Sequence, residues 1–80
     1  MNMQPTEIYN ENFISANGQH FIIRALKDDK EITVSINLTY GEQSVNLKVL
    51  KYTNDHVLKD LIDSARLFAE GFKITRPVNK

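Results

Sequence analysis

The chain has no cysteine, no tryptophan, two prolines and three glycines in 80 residues. Without cysteine there is no disulfide to staple the fold and no thiolate metal site. With glycine this sparse, Gly41 and Gly71 belong to no phosphate-binding loop. Net charge is also missing, because ten Lys and Arg balance ten Asp and Glu. A neutral chain exerts no long-range pull on DNA, RNA or anionic lipid. No run approaches the roughly 20 apolar residues that cross a bilayer. Met1 to Thr6 shows no basic-then-apolar signal pattern. The expectation is a soluble cytoplasmic protein with no membrane segment and no cofactor.

What is present fits one small domain spanning 1–80. Eighty residues leave no room for a second core, and a stability of about 5 kcal/mol is typical at this size. An apolar content of 41% with 25% charge is that of an ordinary globular chain. Residues 1–7 read as a frayed N-terminus and 73–80 as a basic tail.

Between them, apolar residues alternate. Phe21, Ile23 and Ala25 form one set, Ile32, Val34, Ile36 and Leu38 a second, and Val45, Leu47 and Val49 a third. Period-two alternation marks half-buried strands. Asn17-Gly18 is a strong two-residue hairpin signal, since both residues tolerate the positive φ of a type I′ turn. That turn sets Ile14 opposite Phe21 and Glu11 opposite Arg24, an opposite-charge pair. Turns at 27–30 and at Gly41-Glu42 set Ala25 opposite Ile32, Ile23 opposite Val34, Ile36 opposite Leu47 and Leu38 opposite Val45. The greasy face then holds Ile14 and the three alternating sets.

A helix follows. Thr53 or Asn54 suits its N-cap, and Asp55 with Lys59 forms a favourable i,i+4 pair. Leu58, Leu61, Ile62, Ala65, Phe68, Ala69 and Phe72 share one stripe. Gly71 suits the C′ position. The predicted fold is therefore α+β: a four-stranded antiparallel β-meander with one C-terminal amphipathic α-helix packed on one face, in the order β-β-β-β-α.

Width sets a constraint on function. Four strands span roughly 15–19 Å, whereas one helix covers about 10 Å. Part of the inner face is left bare for the tail, through Phe72, Ile74 and Val78, or for a second copy. On the outer face, the same register gathers Tyr9, Phe13, Ile22, Arg24, Leu26, Leu50 and Tyr52 into a candidate interaction surface.

Catalytic constellations are missing from this reading. Ser15 faces His20 across the first hairpin, but no third group orients the pair and an open sheet gives no preorganised, water-poor site. His56 stands beside Asp55 without a nucleophile. Asp28, Asp29 and Glu31 alternate with Lys27 and Lys30 at a hairpin tip and lack the spacing of a calcium loop.

The sequence therefore points to a non-enzymatic protein-interaction module. A small homodimeric regulator, inhibitor or assembly subunit fits, such as the accessory proteins that phages and mobile elements encode. The alternative is a weak single-stranded nucleic-acid binder. It would stack bases on Tyr9, Phe13 and Tyr52 and use Arg24, Lys48 and the tail cations Lys73, Arg76 and Lys80 on the backbone. That cationic track is too sparse to make nucleic acid the first choice.

Overall fold

In a computed structural model, residues 4–72 are described. Four strands, β1 (Thr6–Ile14), β2 (His20–Lys27), β3 (Glu31–Tyr40) and β4 (Gln43–Thr53), form one antiparallel sheet in sequence order. A single helix, α1 (Leu58–Gly71), follows and lies across β2 and β3. The expected α+β meander with a C-terminal helix is the observed architecture. β1 already begins at Thr6, so Thr6 and Glu7 are paired strand residues rather than frayed ends. No helix among the described residues is long and apolar enough to cross a membrane.

The centre of the sheet follows its alternation. Phe21, Ile23, Ala25, Val34 and Ile36 are fully buried, and Ile32 and Leu38 nearly so. Leu61, Ile62, Ala65 and Ala69 close the core from the helix side. The two buried alanines let α1 approach the sheet closely, while Phe72 places its ring edge-on to Phe21 at 6.1 Å. The β2–β3 register is offset by two residues from the expected one. Ala25 faces Val34 and Ile23 faces Ile36. An even offset keeps every side chain on its face, so the predicted core survives it.

Odd offsets do not. The first hairpin uses three loop residues, not two. The N–H of Gly18 donates to Ser15 O at 2.9 Å, that of Ser15 to Gln19 O at 2.9 Å, and only Gly18 takes a positive φ, +86°. This is a type I turn closed by a glycine bulge. It replaces the expected type I′ turn, in which Asn17 would also need positive φ. One extra loop residue shifts β1 by one. Phe13 now faces Phe21, Ile14 faces His20 and Asn10 faces Arg24. Ile14 is 67% exposed and leaves the core, and Phe13 packs against it instead.

A second odd step lies in β4. Leu38 faces Val45 as expected, but a bulge at Leu47 sets Ile36 opposite Lys48, Val34 opposite Leu50 and Ile32 opposite Tyr52. Val49 turns outward and is about half exposed.

The helix starts later than its cap residues suggested. Thr53 ends β4, its hydroxyl donates to Asp55, and the His56 N–H reaches Thr53 O. The His56 ring stands 5.2 Å from Tyr52. These contacts hold 53–56 as a turn, so Val57 becomes the N-cap, with no side-chain cap bond. Asp55 therefore misses Lys59, which pairs with Asp63 at 2.9 Å. Gly71 closes the helix as its last residue, and Phe72 is the extended C-cap.

Candidate interaction surface

The two odd steps redistribute the surface. Cross-strand partners share a face, so Tyr9, Phe13, Leu50 and Tyr52 stand in the inner rows. Their expected outward placement is corrected: the glycine bulge at Gly18 turns the first two inward and the Leu47 bulge the last two. Ile22, Arg24 and Leu26 remain on the outer face and are half-buried. The seven-residue patch is thus split between two faces. Lys73, Arg76 and Lys80, with Ile74 and Val78, lie outside the described residues.

The outer face is mostly polar. Its middle row runs Asn12, Ile22, Asn37 and Asn46, with Asn46 Nδ2 donating to Asn37 Oδ1 at 3.0 Å. By register, every Phe and Tyr of the strands belongs to the inner rows. A base-stacking platform of Tyr9, Phe13 and Tyr52 on the outer face therefore does not exist. The expected Glu11–Arg24 pair is absent as well. Arg24 instead binds Glu7 at 2.7 Å, because a bulge at Ile8 returns Glu7 to the outer face. This bond, helped by Asn10, holds the Glu7 carboxyl below its ordinary pKa.

Because α1 is centred on β2 and β3, the inner face has two flanks. On the β1 flank, Arg66 reaches across to the sheet. Its Nε donates to Glu11 Oε1 at 3.0 Å and its Nη2 to the Tyr9 hydroxyl at 3.0 Å. The Tyr9 hydroxyl in turn donates to Glu11 Oε1 at 2.7 Å. The chemistry is that of a charge-assisted triangle. The hydrogen bond to Glu11 raises the Tyr9 phenol pKa. The same carboxylate, with Tyr9, raises that of Arg66. The register of β1 puts Glu11 in a core-facing row, where Arg66 and the Tyr9 hydroxyl both donate to it.

Two open grooves flank the triangle. One, of about 420 Å³, is lined by Tyr9, Leu58, Lys59, Ile62, Asp63 and Arg66. The other, of about 430 Å³, is lined by Phe13, Asp63, Arg66, Leu67 and Glu70. At the far end, Glu70 accepts the Ala16 N–H at 2.8 Å and ties the helix to the first hairpin. Leu67 stands beside this flank, 75% exposed. From the sequence, Arg66 belongs with Lys59, Asp60 and Asp63 to a charged solvent-facing side of the helix, and Leu67 attracts no role; the contacts of Arg66 with Glu11 and Tyr9 correct the first. The signal for Leu67 was available, since it falls off the apolar stripe of its own helix.

On the β4 flank, Leu47, Tyr52 and Phe68 are partly covered and Val45 is 42% exposed. Lys48 Nζ lies 5.4 Å from the Phe68 ring centre, a cation–π contact.

Ser15 and His20 do not meet. The Ser15 hydroxyl is buried and engaged with Asn17 and Gln19, while His20 Nε2 contacts Asn12 Oδ1 at 3.3 Å. Asp28 accepts the N–H groups of Lys30 and Glu31, both at 2.8 Å, as a turn residue. Among the described residues, no group of three His, Asp or Glu stands where it can hold a metal ion. Compared with known proteins, the chain matches no family model, no curated protein and no solved structure.

Proposed function

We propose that this chain is a small non-enzymatic protein-interaction module that self-associates and serves as a regulator, inhibitor or assembly subunit. The supporting observation is the incomplete cover of the inner face. One helix seats on the two central strands, and both flanks present apolar side chains to solvent beside ordered charges. Concave apolar strips with a charged rim are the anatomy of protein-binding surfaces. Multi-angle light scattering from low micromolar to sub-millimolar concentration tests the reading, together with crosslinks mapped from Lys48 and Lys59, which border the two flanks. The expected result is a mass that rises toward twice the monomer and crosslinks confined to those flanks. A particle that stays monomeric throughout refutes self-association.

A further inference from the structure

The flank of α1 beside β1 carries Lys59, Asp63, Arg66 and Glu70 in that order. Their signs run plus, minus, plus, minus. Such a series is antisymmetric about its midpoint, between Ser64 and Ala65. Turned end for end, every charge meets its opposite. A second α1 laid antiparallel across a two-fold axis at that midpoint sets Lys59 against Glu70 and Asp63 against Arg66, each twice. A two-fold contact demands a self-complementary patch, and opposed charges fix its register. Glu11 and the Ala16 N–H already hold Arg66 and Glu70 along the flank, so these two side chains are ordered before contact.

The same register places an apolar anchor. Leu67, 75% exposed, falls level with Ile62 of the second copy. That level is where the groove of about 420 Å³ opens between Tyr9, Leu58 and Ile62. Each copy offers one leucine and one groove, at matching heights. We infer that the chain pairs with a second copy of itself through this flank, α1 antiparallel to α1, with each Leu67 seated in the other's groove. The inference rests on the self-association reading above and specifies its surface. A helix about 21 Å long, with about 20 Å across helix and groove, gives a footprint of about 400 Å² per copy before corrugation. This lies at the weak end of specific interfaces, and because area does not fix affinity the test spans low micromolar to sub-millimolar concentration.

Analytical ultracentrifugation of the full chain tests it. Leu67→Glu is expected to move the dissociation midpoint upward at least tenfold while the circular dichroism spectrum, and the melting curve at concentrations where both chains are monomeric, stay unchanged. Lys59→Glu alone and Glu70→Lys alone each weaken the dimer, because like charges then meet twice. An equimolar mixture of those two variants regains wild-type association, because each introduced charge meets its opposite across the mixed pair. A mixture that does not regain it overturns the antiparallel register. A dimer left intact by Leu67→Glu and both reversals overturns this surface and leaves self-association to the β4 flank. A wild-type chain that is monomeric to sub-millimolar concentration overturns both.

Discussion

Replacing Phe13 with alanine should cost far more stability than replacing its neighbour Ile14. Phe13 packs on the core with its ring centre 6.4 Å from that of Phe21, which is wholly buried. Removing a fully buried phenylalanine costs about 3–5 kcal/mol, so a half-buried one costs about 2 kcal/mol. In a domain of this size each kcal/mol lowers Tm by about 4–8 °C, so Phe13→Ala should drop it by about 8–16 °C. Ile14 is 67% exposed. Its truncation should stay within about 0.5 kcal/mol, a shift of at most about 4 °C. Thermal and urea denaturation followed by circular dichroism measure both variants. Equal losses, or a larger loss at Ile14, would show that the first hairpin closes on two residues and that β1 is turned over.

Other perturbations probe the turns and the charged triangle. Gly18→Ala should cost about 1 kcal/mol by urea titration, because φ is +86° there although the space beside it is open; an unchanged midpoint argues against the glycine bulge. The N–H groups of Lys30 and Glu31 hold the Asp28 carboxyl below the ordinary aspartate pKa. The unfolded chain therefore takes up this proton first, and the stability Asp28 contributes is whole above the ordinary range and lost as pH falls through the folded value. Asp28→Asn keeps an acceptor but cannot titrate, so its urea midpoint should fall less steeply with acid than the wild type's; identical slopes refute the assignment. At the alkaline end, the Glu11 hydrogen bond raises the Tyr9 pKa, so the associated stability is present below the ordinary phenol value and lost as pH rises through the folded one. In ultraviolet titration the Tyr9 phenol should ionise above the ordinary phenol range, and Glu11→Gln should bring it back toward that range.

The centre of the fold was legible because its signal is redundant. Ile32, Val34, Ile36 and Leu38 alternate without interruption, and a two-residue error in pairing β2 with β3 left them buried. The helix stripe was legible for the same reason, since seven positions agree on one face. The edges depended on single residues. Ala16-Asn17-Gly18 serves either a two-residue or a three-residue loop, and the choice between them decides whether Phe13 or Ile14 faces the core. Apolar content does not arbitrate, because both are large and hydrophobic. The bulge at Leu47 is equally silent, since Val45, Leu47 and Val49 alternate as though the strand were regular. The helix start was masked by Thr53 and Asn54. Both suit an N-cap, yet Thr53 ends β4 and Asn54 donates to Asp28 O at the neighbouring hairpin. The candidate surface was divided between two faces along with the edges, since all but three of its strand residues were placed by those two registers.

The odd steps that hid the surface also restrict the modes of association open to the molecule. They bring Glu11 of β1 and Lys48 of β4 into one inner row, with Ile23 and Ile36 between them. Each edge strand thus carries a charge in a core-facing row, answered by Arg66 on one side and the Phe68 ring on the other. Inward-facing charges and bulges are devices by which edge strands resist pairing with another sheet. A strand of a second copy added to β1 or β4 would have to seat its own side chains beside these charges and follow a kinked ladder at Ile8 or Leu47. With both edges guarded in this way, the sheet is a poor template for extension. The apolar surface that α1 leaves uncovered is then accessible only to a partner that approaches from the helix side. That direction is the one faced by Leu67, which is otherwise an exposed leucine with no role in the core.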